Sequence, residues 1–317
     1  MRSSQGTVTI DLARIRANAR AICAQTGVGL IAVIKADAYG LGAGEVAAAL
    51  APVAAGLATF SLEEVRAGEL WQASGLTTLT LGPPDGLPAA YRRAHARPAV
   101  SSIGQARRYR SCRPVVCVDT GMRRFACPLD AVSRVVAAGG STEVFTHAVT
   151  VAQARRLLTA TRTLPVRRHA AASSLVGSPA AHLDAVRPGL LLYQDAVRVS
   201  APLAAVMSSH GPIGYSAFRS ARHGVILMGY AHGLRLGWCL VNGQRRRIRE
   251  VGMQTSYVDA GERDAVGDEV VLLGGGLALD EVAASWSARP HEVLTTLCGA
   301  GQRRYLHRPR ASGRRAP

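Results

Sequence analysis

The amino-acid sequence predicts an α/β protein in which a barrel of parallel β/α units is followed by a β-rich domain. Short apolar, β-branched segments alternate with helical segments down to about residue 195, which is typical of parallel β/α units. Beyond about residue 200 the helical pattern becomes sparse, and glycines are interspersed with β-branched segments. The length of 317 residues also favours two domains over one.

The change of pattern sets the expected domain boundaries. We expect the barrel to include residues 8–198, and the β-rich domain to include residues 1–7 and 199–305. Residues 306–317 are rich in arginine and proline, and they are predicted to be a flexible basic tail.

The first elements have clear local signals. A strand at Thr7–Ile10 precedes Asp11, which is suited to N-cap a helix over Leu12–Gln25. The apolar run Gly29–Ile34 predicts a buried parallel strand. A turn containing glycine then leads into an alanine-rich helix over Gly44–Leu50.

The later elements follow the same alternation. Ser61 and Glu64 have the spacing of a capping box, in which each side chain accepts the other residue's backbone N–H at a helix start. The segments with strand character are Gly56–Phe60, Thr77–Leu81, Ala99–Ser101, Val115–Val118, Glu143–Thr146 and Arg168–Ala171, then Gly224–Gly229, Ile248–Tyr257 and Val266–Leu273, with a late helix at Asp280–Ala284.

Net charge, apolar runs and cysteine spacing indicate which partners and which location to expect. The net charge is +17, but the arginines are spread along the chain without aromatic interleaving or zinc-finger spacing, so we expect neither a nucleic-acid partner nor a bound metal. No apolar run is long enough to span a bilayer, and the first ten residues lack a secretory signal pattern. With six cysteines and no CxxC pair, these features predict a cytoplasmic protein with reduced thiols and no membrane partner.

Lys35 is the only lysine among the 38 lysine and arginine residues. It follows the predicted strand Gly29–Ile34, and catalytic side chains of β/α barrels lie at the C-terminal ends of strands. A lysine amine can lose its proton and attack a carbonyl, as it does with pyridoxal phosphate, whereas an arginine cannot. Survival of one lysine by chance is the alternative, and the strand context argues against it.

The segment Lys35-Ala36-Asp37-Ala38-Tyr39-Gly40, followed by Gly42, resembles the cofactor-lysine segment of the alanine racemases, which are fold-type III pyridoxal-phosphate enzymes. The resemblance implies a (β/α)8 barrel of TIM type and a pyridoxal 5'-phosphate cofactor bound covalently to Lys35. It also implies a hydrogen bond from Tyr39 to the cofactor phosphate.

Two more barrel segments carry the resemblance less closely. In Val118-Asp119-Thr120-Gly121-Met122-Arg123-Arg124, Arg124 would lie near the cofactor's phenolic oxygen and the substrate, although the paired arginines fit an exposed charged loop equally well. The family often has a modified lysine where this chain has Cys117. His147 would join the hydrogen-bond network of the catalytic tyrosine, although a lone histidine is more often a packed residue.

The phosphate site and the pyridine site are implied by the last barrel segments. The segment His169-Ala170-Ala171-Ala172-Ser173 resembles a family motif in which Ser173 would bind the phosphate, with Ala172 replacing an asparagine. In Arg187-Pro188-Gly189-Leu190, Arg187 would face the pyridine nitrogen and keep it unprotonated, which disfavours transamination. Gly189 and Leu190 would offer backbone N–H groups to the phosphate.

In the C-terminal domain the resemblance assigns four residues. Tyr215 aligns with the catalytic tyrosine, although a structural tyrosine also fits the weak match. Tyr230 would help to form the entrance, Met253 would lend its backbone N–H to the substrate carboxylate, and His291 stands where a tyrosine contacts the phosphate. His232 and Gln254 replace aspartates of the family.

These residues together imply an amino-acid racemase that depends on pyridoxal phosphate. Lys35 and Tyr215 would transfer protons at Cα on opposite faces of an amino-acid substrate, and the active sites would be shared in a homodimer. The alternatives are another fold-type III reaction such as decarboxylation, a degenerate racemase-like protein that only binds pyridoxal phosphate, and a basic nucleic-acid binder. The substitutions in the family motifs favour the second of these alternatives over the third. The sequence does not single out one amino acid as the substrate.

Overall fold

The computed structural model describes residues 6–299 and 301–306, so the predicted tail lies outside the described residues except for Leu306. The chain forms two compact units. The barrel unit consists of residues 15–38 and 42–194, and the β unit consists of residues 39–41 and the described residues up to 14 and from 195 onward.

The barrel unit is a closed barrel of parallel strands, and this confirms the predicted (β/α)8 architecture. The first strand of the chain, β1 (Thr7–Asp11), belongs to the β unit. Among the described residues, the barrel strands are β2 (Gly29–Val33), β3 (Gly56–Thr59), β4 (Thr78–Thr80), β5 (Ala96–Val100), β6 (Val115–Cys117), β7 (Glu143–Ala148), β8 (Arg167–Ala171) and β9 (Ala185–Val186).

Helices connect most of these strands. They lie at Leu12–Thr26, Ala43–Leu50, Leu62–Ala67, Leu70–Ser74, Pro88–Arg93, Ile103–Arg108, Val132–Gly139 and Val151–Thr161. The connection from β8 to β9 instead contains two short 3-10 turns, Ser173–Leu175 and Pro179–Ala181. This shortened connection places the end of β8 close to the start of β9 along the chain.

The interior of the barrel is filled by side chains from successive strands. The buried cluster consists of Ile31, Val33, Ala58, Leu79, Ala99, Val115, Phe145 and Ala185. Because the interior is packed with apolar side chains, polar chemistry is directed to the strand ends.

The β unit is one sheet with the strand order β11-β14-β13-β12-β15-β10-β1-β16, and β11 also pairs with β10. Its further strands are β10 (Val197–Ser208), β11 (Arg222–Ile226), β12 (Gly237–Val241), β13 (Gln244–Val251), β14 (Ser256–Asp259), β15 (Glu269–Leu273) and β16 (Gln302–Leu306). Two helices, Leu279–Ser285 and Pro290–Cys298, complete the described part of this unit.

The segment Ile248–Tyr257, which has strand character in the sequence, contains parts of two strands. A turn closed by the hydrogen bond from Gly252 N to Thr255 O (2.8 Å) separates β13 from β14. The two strands pair antiparallel, so the segment is a hairpin. Across the part of the chain that the structure describes, no helix is both long and apolar enough to span a membrane.

Candidate active site

Lys35 lies at the C-terminal end of β2, where it begins a left-handed helical turn over Lys35–Gly40. The φ angles of Ala36, Asp37, Ala38 and Tyr39 are between 53° and 60°. Left-handed backbone costs L-residues about 1–2 kcal/mol each, so tertiary contacts must hold this turn. Within the turn, Ala38 N donates a hydrogen bond to Ile34 O at 2.8 Å.

Glu64 supplies one of these contacts. Its carboxylate accepts hydrogen bonds from Ala36 N (3.1 Å) and Phe60 N (2.8 Å). The predicted capping box is therefore only half formed: Ser61 Oγ accepts from Glu64 N at 3.1 Å, but the carboxylate does not return to Ser61 N. The Glu64 carboxylate instead binds Ala36 N, which the left-handed turn presents at the end of β2.

The surroundings of Lys35 favour its neutral amine. Burial lowers the pKa of Lys35, and the positive charges of Arg124 and Arg187 lower it further, while the carboxylate of Glu64 acts in the opposite direction. A neutral amine is the form that acts as a nucleophile or as a base.

Arg187 is buried at the start of the loop after β9, with 3% of its surface exposed. Its guanidinium donates to Thr146 O at 2.9 Å and to His169 Nδ1 at 2.7 Å, and it lies over the ring of Phe145. Burial lowers the pKa of Arg187 to about 10, and the carboxylate of Glu143 opposes this shift. The side chain therefore stays charged at neutral pH and is held in one orientation.

A pocket in the barrel unit opens beside these cations. Its lining includes both arginines, and none of the lining residues is a carboxylate; it consists of Leu81, Cys117, Val118, Met122, Arg124, Phe125, Ala126, Phe145, Thr146, His147 and Arg187. The pocket thus has the electrostatic character of an anion-binding site.

Two lining residues are held neutral. Burial, reinforced by Arg187, Arg124 and Lys35, lowers the pKa of His147 to about 4, so the imidazole is uncharged at neutral pH. Burial raises the pKa of the Cys117 thiol to about 12, although Arg187 and Arg124 favour the thiolate. Cys117 therefore brings no negative charge to the two arginines.

The ends of β8 and β9 bring Ser173 next to Gly189–Leu191. Ser173 Oγ accepts hydrogen bonds from Gly189 N (3.0 Å) and Leu191 N (3.4 Å). The Gly189 N–H, which the sequence analysis assigned to a phosphate, is used here to orient the serine hydroxyl. The Ser173 O–H can then donate to an acceptor outside this loop.

Tyr39 lies four residues after Lys35 on the left-handed turn, and its side chain is buried. Burial raises the pKa of Tyr39 to about 12, so it is a neutral phenol that can donate a hydrogen bond. Gly40, with φ 85°, follows it, and a Cβ there would lie 2.9 Å from Gly299 N. Glycine is therefore required at the end of the turn.

In the β unit, Tyr215 is on a loop with 99% of its surface exposed. The carboxylate of Glu250 accepts from Tyr215 N (3.0 Å) and from Ser216 N (2.7 Å), which orders the loop backbone while the phenol remains free to contact another surface. Glu250 gives no signal in the sequence, because its partners lie 34 and 35 residues away along the chain.

The other predicted residues of the β unit are also exposed. Tyr230 N donates to Gly252 O (2.9 Å), and Ala231 N donates to Met253 O (3.0 Å), so the Tyr230 and Met253 segments lie side by side. His291 is exposed in the first turn of the helix Pro290–Cys298.

The two halves of the chain match known families along almost their whole length. Residues 10–197 match the model of the alanine racemase N-terminal domain, and residues 204–305 match that of the alanine racemase C-terminal domain. The chain belongs to the alanine racemase family. The predicted amino-acid racemase activity with pyridoxal phosphate as cofactor is confirmed by this membership.

Individual relatives of this racemase cover nearly the full length. The alanine racemase of Methylobacterium nodulans is 31% identical, with 96% of this chain and 97% of the relative covered. That of an Azoarcus species is 32% identical, covering 91% and 96%. Among solved structures, the biosynthetic alanine racemase of Pseudomonas aeruginosa matches with a TM-score of 0.85 and 27% identity, covering 96% of this chain and 99% of that one.

The residues of the barrel unit fit the cofactor of this racemase. Pyridoxal phosphate is anionic and carries an aldehyde; the pocket offers two arginines and no carboxylate, and the Lys35 amine has a lowered pKa. The racemase departs from the expected motifs at Cys117, which is a neutral thiol, so Arg124 and Arg187 receive no compensating charge from this position.

Proposed function

We propose that this racemase interconverts L- and D-alanine, using Lys35 and Tyr215 as two bases on opposite faces of the substrate. The observation that carries the proposal is the Lys35 amine at the end of β2, whose pKa is lowered by burial and by the charges of Arg124 and Arg187. The choice of alanine is supported by the similar proteins, which are alanine racemases and align with this chain over nearly their whole length.

The residues divide the work of the reaction. When bound, pyridoxal phosphate supplies a carbonyl that captures amines covalently and an electron sink that acidifies the Cα–H bond. Lys35 holds the cofactor and exchanges a proton with one face of Cα, and Tyr215 exchanges a proton with the other. Two bases are needed because inversion requires that the proton leave one face and return to the opposite one.

The remaining predicted residues bind and orient. Arg124 and the backbone N–H of Met253 bind the substrate carboxylate, and Tyr230 forms the entrance. Arg187 donates a hydrogen bond to the pyridine nitrogen. Because a charged arginine donates but cannot accept, the nitrogen must be the acceptor and therefore stays unprotonated. The phosphate is bound by Tyr39, Ser173, Leu190 and His291, while Gly189 N orients the Ser173 hydroxyl. His147 joins the hydrogen-bond network of Tyr215.

We propose further that the active unit is a homodimer in which Tyr215 completes the site of the partner. The nearly complete exposure of the Tyr215 side chain supports this arrangement, because an exposed phenol on an ordered loop is placed to meet a second surface.

The proposal is tested by following deuterium at Cα. The purified protein, loaded with pyridoxal phosphate, is expected to be yellow, and borohydride should remove the colour and leave the label on the Lys35 peptide. L-Alanine in D2O should become a mixture of both enantiomers with deuterium at Cα. Deuterium without inversion would contradict the two-base assignment.

Two substitutions of the lysine give matched controls. Lys35→Ala and Lys35→Arg should both lose the colour and the racemisation, and the arginine variant shows that charge alone does not suffice. Colour and activity retained in either variant would refute the assignment of Lys35.

A further inference from the structure

A buried chain of polar contacts extends from Arg187 away from the pocket. Arg187 Nη1 lies 2.7 Å from His169 Nδ1, and His169 Nε2 lies 3.0 Å from Glu143 Oε1. Glu143 Oε2 accepts from Arg97 Nη1 at 2.5 Å. His169 is fully buried, and Glu143 is 6% exposed, so solvent does not replace either contact.

The donors and acceptors in this chain allow one tautomer of His169. Arginine only donates, so His169 Nδ1, which faces Arg187, must be the acceptor. Burial lowers the pKa of His169 to about 4, against the effect of Glu143, so the ring is neutral. Its single proton is therefore on Nε2, which lies 3.0 Å from Glu143 Oε1.

Arg97 keeps that carboxylate ionised and in place. Burial alone raises the pKa of Glu143, but the hydrogen bond from His169 and the charge of Arg97 outweigh it and lower the pKa to about 2. Arg97 is itself anchored, because its Nε donates to Arg113 O at 2.8 Å. The geometry resembles the acid–histidine pairs of hydrolases, in which a carboxylate selects the histidine tautomer.

We propose that Glu143, held by Arg97, is a positioning residue that selects the His169 tautomer and thereby fixes the Arg187 guanidinium at the pocket. The consequence for catalysis rests on the proposed role of Arg187 opposite the pyridine nitrogen. If Arg187 is displaced, that nitrogen can take up a proton, and transamination to pyruvate and pyridoxamine phosphate should compete with racemisation.

Glu143→Gln tests the proposal because the amide keeps the shape of the carboxylate but replaces one of its two acceptor oxygens with an NH2 donor. The anchored Arg97 requires the amide oxygen, so the amide NH2 faces His169 Nε2. His169 must then carry its proton on Nδ1, where it opposes the N–H of Arg187. The double variant Glu143→Gln/Arg97→Met frees the amide to turn its oxygen toward His169, so it should restore the original tautomer.

The first measurement reads the tautomer directly. Nitrogen-15 NMR of the holoenzyme, with His169 assigned by its substitution, should show a protonated Nε2 in the wild type and a protonated Nδ1 in Glu143→Gln. The double variant should return to the wild-type pattern. A protonated Nδ1 in the wild type, or an unchanged tautomer in Glu143→Gln, would overturn the inference whether or not the protein racemises alanine.

The second measurement reads the reaction. Glu143→Gln should lower kcat by about 10-fold or more with little change in KM, as loss of a supporting hydrogen-bond partner commonly does. The amount of pyruvate formed per racemisation event should rise, and the double variant should recover kcat. A double variant with a lower kcat than Glu143→Gln would also overturn the inference.

Glu281→Gln is the matched control. This glutamate pairs with Arg245 in the β unit and has no contact in the His169 chain. It should change neither the tautomer nor the ratio of pyruvate to racemised alanine. Absence of racemisation in the wild type, with the tautomers as expected, would refute the proposed function and leave the positioning by Glu143 supported.

Discussion

At the scale of single residues, chemistry is decided by burial and by neighbouring charge. Lys35 would be protonated in water at neutral pH, but burial and the two arginines lower its pKa. His147 and His169 are both kept neutral by burial, although one lines the pocket and the other does not. Burial thus lowers the pKa of all three side chains and favours their neutral forms.

Tyr215→Phe should separate the two proton transfers. The variant keeps the loop, because Glu250 binds backbone N–H groups that the substitution does not change. It removes the acidic hydroxyl, so one enantiomer of alanine should still exchange its Cα hydrogen in D2O while racemisation falls by about 100-fold or more.

The measurement is NMR of deuterium incorporation with chiral analysis of the same samples. Tyr257→Phe, on the sheet of the β unit, is the control and should racemise normally. Normal racemisation by Tyr215→Phe would show that another group is the second base.

At the scale of elements, the left-handed turn after β2 is the least predictable feature. Its residues include Ala36 and Ala38 with positive φ, and alanine has no local preference for that conformation. The turn forms because Glu64 binds the Ala36 N–H and because Asp37 Oδ1 accepts from Ala43 N at 2.7 Å. Two carboxylates from different elements thus fix the residues around the reactive amine.

Glu64→Gln should weaken this turn and lower the pKa of Lys35 further. The single amide oxygen cannot serve both Ala36 N and Phe60 N, so we expect a loss of about 1–2 kcal/mol in the free energy of unfolding. Loss of the carboxylate also removes the charge that raises the pKa of Lys35.

Two measurements check this prediction. Urea titration gives the loss in the free energy of unfolding, and the pH dependence of cofactor capture by the apoprotein should move to lower pH. Glu63→Gln, one residue away and exposed, is the matched control. Equal effects of the two variants would contradict the role of Glu64.

At the scale of the whole molecule, the buried ionisable groups make stability depend on pH. In the folded protein the pKa values of His147 and His169 are about 4, below their value of about 6.5 in the unfolded chain. The unfolded state therefore binds more protons between these values, and stability falls as the pH drops from about 6.5 to about 4.

Protonation of Glu143 extends the loss of folding stability to lower pH. Its folded pKa of about 2 lies below the unfolded value, so its contribution is present above about pH 4.3 and is lost as the pH falls toward 2. We expect each buried histidine to contribute on the order of 2 kcal/mol to the acid destabilisation.

Urea midpoints at pH 8, 6 and 4 check these windows. His147→Asn should reduce the loss between pH 6 and pH 4, whereas His210→Asn, at an exposed position, should not. A stability that is constant from pH 8 to pH 4 would contradict the prediction.

The proposed dimer makes a prediction that no single variant can test. Lys35→Ala and Tyr215→Phe are each expected to be inactive, but subunits mixed by co-expression should regain about a quarter of the wild-type sites. This follows because a site built from two subunits can combine an intact Lys35 with an intact Tyr215. Dimers are confirmed by sedimentation, and no recovery in verified mixed dimers would show that each site belongs to one chain.

Apolar runs of strand length in the sequence predict most of the alternating strands and helices of the barrel, and the segment around Lys35 predicts the reaction class through its resemblance to the family. The two-residue strand β9 is too short to give such a pattern. Only the fold reveals that the Glu64 carboxylate accepts from Ala36 N, 28 residues away, and that Glu143 lies between His169 and Arg97. A carboxylate that is removed from water needs other hydrogen-bond donors, and these come from distant parts of the chain because the barrel places β5, β7 and β8 close together.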